Sequence, residues 1–284
     1  METVLYLGIV FATVLQSASN KWFNKTGGSA VPFNALKALS AFVLLGAVSV
    51  PRIVLHGPTA LYGGVYGAAL CLSMYCGYRA MCLGPMALTS MIASLSVAIP
   101  VLWGVFVRGE PFHILKAAAF ICLVAAMVLT NIRRGGGQNV FVNRRAWAIF
   151  LALTYLCNGV CSVLQKEHQS RWPGQYTGEF MLTAMLLCSL LFLTAALVKL
   201  PLREFLRMKG KRYGVLAGVC NGLANFWTLT LAGAELASVL FPVISAGTIF
   251  GSMLCGRLVF REKLGTAQVF ALVFGIAAVI LLKL

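Results

Sequence analysis

Aspartate is missing from this sequence altogether, and negative charge rests on seven glutamates: Glu2, Glu110, Glu167, Glu179, Glu204, Glu235 and Glu262. Without aspartate, paired-Asp catalysis, Asp-based magnesium sites and EF-hand calcium loops are excluded. Charge of any sign is scarce. It makes up 11% of the chain, where a soluble domain carries about 25%. No Cys-x-x-Cys occurs among the nine cysteines, and Cys157 and Cys161, one helical turn apart, come nearest to a metal pattern. All nine fall in or at the ends of apolar blocks, where a free thiol packs as a small hydrophobe. His56, His113 and His168 fall in expected loops, and none is spaced with acids or cysteines as a zinc site requires. The expectation is therefore no metal, no cofactor and no enzyme, because no convergent acid, base or metal set is visible. The N-terminus has neither a basic leader region nor a clear cleavage site, so the first apolar block reads as a retained span.

What the chain has in quantity is apolar sequence. It is 60% hydrophobic, in blocks of roughly 18 to 25 residues, each long enough to cross a hydrocarbon core as a helix. Helices satisfy their own backbone polar groups, which irregular chain in lipid cannot do. The pattern predicts an all-α polytopic membrane protein with ten transmembrane helices, near 3–20, 31–50, 60–82, 86–107, 114–132, 146–165, 178–198, 213–232, 236–257 and 265–283. Gly, Pro and charge mark the breaks, and the longest break surrounds Gly135-Gly136-Gly137.

Three motifs recur in the same order on either side of that break. Gly104 to Glu110 reappears as Gly256 to Glu262 with the same spacing. Tyr62-Gly63 with Gly67 reappears as Tyr213-Gly214 with Gly218. Thr13, Ser17, Asn20 and Lys21 reappear as Asn158, Ser162, Gln165 and Lys166. The chain thus reads as a first five-helix repeat (1–134), a Gly/Arg-rich connection (135–145) and a second five-helix repeat (146–284). Five is odd, so the second copy enters from the opposite side, and the repeats are inverted. Inverted repeats are a common architecture of secondary transporters, with the solute held between the halves.

The formal charge is +16, but the basic residues sit in short gaps between apolar blocks, which speaks for membrane orientation and against nucleic acid. Odd-numbered loops hold 16 of the 23 Lys and Arg residues, even-numbered loops and ends hold 6, and Lys37 lies inside a span. The positive-inside rule then places the odd loops in the cytoplasm of a cell-membrane protein and both termini outside.

Polar residues within spans are the functional candidates. Spans 1 and 6 carry stripes at i, i+4, i+7: Thr13, Ser17 and Asn20, and Asn158, Ser162 and Gln165. Each stripe lies on one helix face and suits either interhelical hydrogen bonding or cavity lining. Span 8 has Asn221, Asn225 and Thr228, and span 3 has Cys71, Tyr75 and Tyr78, at that same spacing. Asparagine offers donor and acceptor to uncharged polar groups. Tyr75, Tyr78, Phe226 and Trp227 could stack on a ligand or hold a cation, and bulky packing suits each of them equally. Gln16 and Trp103 complete the candidate substrate-binding set. The Gly-xxx-Gly runs at 63–67 and 214–222 read as close helix packing. Lys37, about 9 Å into its span at 1.5 Å per residue, either snorkels to the interface or meets an anionic group. Glu110 and Glu262, just before spans 5 and 10, suit the positive ends of helix dipoles. Pro100 and Pro242, inside spans 4 and 9, free backbone groups there.

The stretch Tyr78-Arg79-Ala80-Met81-Cys82-Leu83-Gly84-Pro85-Met86-Ala87-Leu88-Thr89-Ser90, then Pro100, then Gly109-Glu110, resembles the third-to-fourth helix signature of the drug/metabolite transporter (DMT) superfamily, EamA-type branch. Ala237-Ser238-Val239, Pro242 and Arg261-Glu262-Lys263 look like its second-half counterpart, and Lys37 stands where the family often has a basic residue. The resemblance implies the DMT fold and alternating access around a central cavity, without ATP. Many members place both termini in the cytoplasm, opposite to the charge distribution here.

The expected function is secondary active transport of a small polar metabolite, an amino acid or other carboxylate- or phosphate-bearing solute. The alternative is a small organic cation or quaternary amine in an aromatic pocket. From a different class, a lipid-translocating or lipid-modifying membrane protein would need a laterally open groove and catalytic residues in its loops. The expected partners are a small-molecule substrate and the lipid bilayer, with the protein a monomer or homodimer.

Overall fold

The computed structural model describes residues 2–24, 26, 29–49, 56–83, 89, 93, 95–111, 113–131, 142–259 and 266–283. Among these, every regular element is helical: α1 (Glu2–Asn24), α2 (Ala30–Ser49), α3 (Gly57–Leu83), a 3-10 turn (Leu95–Val97), α4 (Ala98–Phe106), α5 (Ile114–Asn131), α6 (Arg144–Arg171), α7 (Thr177–Leu197), the short α8 (Leu202–Leu206), α9 (Lys211–Ala232), α10 (Ala237–Leu258) and α11 (Thr266–Lys283). Six of them, α1, α2, α3, α6, α7 and α9, are long and apolar enough to cross a bilayer, and α4, α5 and α10 contain shorter apolar stretches. Their outward faces match a hydrocarbon solvent. Val4, Leu7 and Phe11 form an exposed stripe on α1, and Val269, Val273, Ile276 and Ile280 form one on α11. Stripes of this kind would be costly in water.

Three helix limits differ from expectation. Helix α6 runs on to Arg171, past the expected end at 165, because Gln165, Lys166, His168 and Gln169 are buried and bonded. The three histidines are therefore not all in loops, since His168 lies fully buried in the last turn of α6. The gap 201–212 holds the one-turn helix α8, which turns Phe205 inward. Arg144 and Arg145, expected in the connection, open α6, and most of 135–145 lies outside the described residues.

The chain forms two compact units, and each draws on both halves of the chain. The first comprises residues 1–71 and 164–234. In it α1 packs on α9, and α2 packs on both α7 and α9. Glycines set these approaches. A Cβ on Gly218 would strike the Lys37 carbonyl and the Ser40 hydroxyl, and one on Gly214 or Gly222 would press on Leu36 or Ala41. Gly63 and Gly67 of α3 lie on the backbones of Phe180 and Ala184 of α7, where a Cβ would meet carbonyl oxygens at 2.6 and 2.7 Å. Both Gly-xxx-Gly runs are thus helix contacts. At one end of this unit Phe23 stacks on Phe33 with centroids 4.3 Å apart, over Ala217.

The second unit comprises residues 72–163 and 235–284. In it α5 packs on α11, and α10 packs on α4, α5 and α11. Ala80, Trp147 and Leu151 form one core cluster, with the Trp147 indole N–H donating to Thr89 Oγ1 at 2.8 Å. Pro100 sits in the first turn of α4, after the 3-10 turn, where the ring's missing N–H costs little. Pro242 lies inside α10.

Candidate functional site

In the first unit, four candidate residues join one hydrogen-bonded chain. Asn221 Nδ2 donates to Gln16 Oε1 at 3.4 Å. Asn225 Nδ2 donates to the Asn221 carbonyl at 2.9 Å. The Tyr66 hydroxyl donates to Asn225 Oδ1 at 2.8 Å. Gln165 Nε2 donates to that hydroxyl at 3.3 Å. The chain links α1, α9, α3 and α6 through amides that carry both donor and acceptor, so it can trade partners with a polar solute. Tyr66, its hub, is 1% exposed. It escaped the sequence reading because a lone tyrosine in an apolar span looks the same whether its hydroxyl is bonded or not.

Lys37 lies in the same unit, on the helix that packs against both α7 and α9. It is 7% exposed. Among the described residues its ammonium makes no hydrogen bond, and no carboxylate lies within ion-pairing distance. The Cys188 thiol of α7 lies near it and donates to the Gly67 carbonyl. Lys166, by contrast, is buried but tied, giving its ammonium to the Ala232 carbonyl at 3.0 Å. An unpaired ammonium at this depth is unfavourable unless a counter-charge arrives.

The other candidates of this unit take different roles. Among the described residues, Asn20 Oδ1 is buried without a hydrogen-bond partner. The Thr13 hydroxyl bonds back to the carbonyls of Ile9 and Val10, and Ser17 bonds back to Thr13, a local habit of these residues in helices. Trp227 lies against Gly8, where a Cβ would meet the indole ring at 2.9 Å, so its ring packs α9 onto α1.

In the second unit, Asn158 Oδ1 accepts from the Ser73 hydroxyl at 2.5 Å. Nearby, Gly77 faces Thr154 and Gly159 faces Ile99. Tyr75 meets the edge of Phe150, whose face carries the Arg79 guanidinium at 5.7 Å. Tyr75 and Tyr78 are 44% and 39% exposed. Trp103 lies under the Arg108 guanidinium, 5.3 Å from its ring.

Glu110 is a helix cap, but not of the helix it precedes. Its carboxylate accepts the N–H groups of Ala237 and Ser238 at 2.8 and 2.9 Å, at the first turn of α10. Gly109 has a left-handed backbone (φ 66°), and the Glu110 N–H donates to the Gly104 carbonyl at 3.0 Å. The chain thereby folds back so that the carboxylate lies over Gly104, where a Cβ would come within 2.8 Å of it. The Gly104 to Glu110 spacing is thus a capping device between distant segments, favoured by the dipole of α10. Glu262 lies outside the described residues.

No family profile matches this sequence, and no curated protein is similar to it. Solved structures do match. One of them, described only as the crystal structure of a protein, superimposes with a TM-score of 0.78 at 17% identity, covering 99% of this chain and 95% of that one. At that identity the likeness concerns the fold, which is therefore one already seen in a crystal.

Proposed function

We propose that this chain is a secondary transporter of the drug/metabolite type, EamA-like, built from ten transmembrane helices in two inverted five-helix repeats. It sits in the cell membrane with both termini outside, as a monomer or homodimer. Its solute is a small polar metabolite bearing a carboxylate or phosphate. The observation that carries this reading is Lys37, a buried lysine whose ammonium has no ion pair among the described residues. A charge in a membrane helix costs about 3 kcal/mol near its centre, and an arriving anion offsets that cost. The Gln16–Asn221–Asn225–Tyr66–Gln165 chain in the same unit supplies donors and acceptors for the uncharged parts of the solute. Alternating access around this site needs no nucleotide.

The test is thermal stabilisation of the purified protein by amino acids, sugar phosphates and quaternary amines, since a ligand of the native state raises its stability by mass action. Anionic solutes should stabilise the wild type and fail to stabilise Lys37→Ala. The unliganded variant should be at least as stable as wild type, because a buried charge has been removed. Equal stabilisation of both proteins by anions would remove Lys37 from the site. Stabilisation by quaternary amines alone would favour the alternative solute, a small organic cation.

A further inference from the structure

A second polar cluster lies in the first unit, where residues 56–62 meet residues 168–180. Its members form one directed relay. Gln169 is pinned by backbone on both sides of its amide: Oε1 accepts the Gly174 N–H at 2.9 Å, and Nε2 donates to the Gln175 carbonyl at 3.2 Å. The amide therefore has one orientation. Its Nε2 also faces His168 Nδ1 at 3.1 Å, so Nδ1 must be the acceptor and the proton of neutral His168 must sit on Nε2. That Nε2–H faces Thr59 Oγ1 at 3.1 Å, and the Thr59 hydroxyl is left to donate to His56 Nδ1 at 2.9 Å. Backbone anchors at one end thus set the tautomers of two histidines. His168, Thr59 and Gln169 are all fully buried.

The relay holds a turn that has reason to leave. Tyr176 is the one described non-glycine residue with positive φ, at 52°, a conformation that L residues rarely adopt. It is held by the His56 ring, stacked on it at 4.4 Å and 8°, while Trp172 meets both His56 and His168 edge-on or tilted. Glu179 completes the cluster. Its Oε1 accepts the backbone N–H of His56 at 2.6 Å, and its Oε2 is buried with no partner among the described residues. The other charged and titratable groups nearby are Tyr62 of α3 and Arg171 of α6. Arg171 is paired with Glu167 and lies over the Tyr62 ring. Lys166 points to Ala232.

We infer that the His56–Thr59–His168–Gln169 relay is a proton-operated latch, which ties the 172–176 turn to α3 and α6 when His168 is neutral and releases it when His168 takes up a proton. The release follows from donor counting. A proton on His168 Nδ1 faces the Gln169 amide N–H, donor against donor. If the amide rotates to accept it, Oε1 turns to the Gln175 carbonyl and Nε2 to the Gly174 N–H, and both anchors are lost. No rotation satisfies all three partners. The inference does not depend on which solute, if any, the protein carries.

The chain has three histidines, so imidazole 15N signals of the full-length protein in lipid nanodiscs can be assigned by substituting His113 and His56 in turn. At neutral pH, His168 should show an unprotonated Nδ1 and a protonated Nε2. Titration from about pH 8 to about pH 3 should make the fully buried His168 doubly protonated. Over the same range, exchange of the Gly174 amide should rise about tenfold after correction for intrinsic exchange. In Gln169→Glu the carboxylate can accept from Gly174 and from protonated His168 together, so the Gly174 amide should stay protected throughout. An Nδ1–H tautomer in the wild type, a doubly protonated His168 with Gly174 still protected, or a Q169E protein that opens like wild type would each overturn the latch.

Discussion

Single residues in this protein are most informative where a buried polar atom has a partner of fixed geometry. Glu110 is one case. Its two oxygens serve two backbone N–H groups that open α10. Glu110→Ala should lower stability by about 1–3 kcal/mol, the cost of leaving buried donors unsatisfied. Glu110→Gln should cost less, because one amide oxygen still accepts. Thermal or denaturant unfolding in detergent reads both, and an E110A protein as stable as wild type would show the cap to be dispensable. A glutamate after glycine at a span boundary was legible as a cap from sequence. Which helix it serves was not, because the partner is more than a hundred residues away. Tyr66 makes the complementary point. Tyr66→Phe keeps the ring but breaks the chain between Asn225 and Gln165. It should cost about 1–3 kcal/mol by the same reasoning and reduce the stabilisation given by any anionic solute. If stabilisation is unaffected, the chain does not contact the solute.

At the scale of elements, helix approach is set by small residues at a few crossings. Gly218 and Gly64 form a controlled pair. At Gly218 a methyl group would strike the α2 backbone, whereas at Gly64 nothing lies within 4 Å. Gly218→Ala should therefore destabilise by about 1–3 kcal/mol through overpacking. Gly64→Ala should be neutral or stabilise by up to about 1 kcal/mol, the helix propensity difference. Equal effects in an unfolding assay would mean that the α2–α9 approach is looser than the structure indicates. Helix positions themselves were largely legible, since apolar length and the Gly, Pro and charge breaks are local properties. The misjudged end of α6 shows the limit. A polar run from Gln165 to Gln169 reads as a helix exit, and only its tertiary partners reveal that each side chain is bonded inside.

For the whole molecule, the proposed orientation is testable without any ligand. A reporter fused to the C-terminus should lie outside the cell, because the odd-numbered loops carry the excess of Lys and Arg. A cytoplasmic reporter would reverse the topology and leave the helix packing untouched. The compact units also bear on how the chain folds. Each is assembled from segments far apart in sequence, so neither can form until most of the chain has been made, and folding should be slow for its size.

By itself, the sequence determined the helical, bilayer-matched character of the chain, the rough limits of its helices and the short list of polar residues worth following. These depend on composition and periodicity over a turn or two, and such quantities are written locally. Tertiary structure alone decided partnership: that Glu110 serves α10, that Tyr66 joins two amides, that Lys37 has no counter-charge among the described residues, and that two histidines share one threonine. Hydrogen bonds and ion pairs depend on distances of a few tenths of an ångström between residues remote in the chain, and no local pattern encodes those distances.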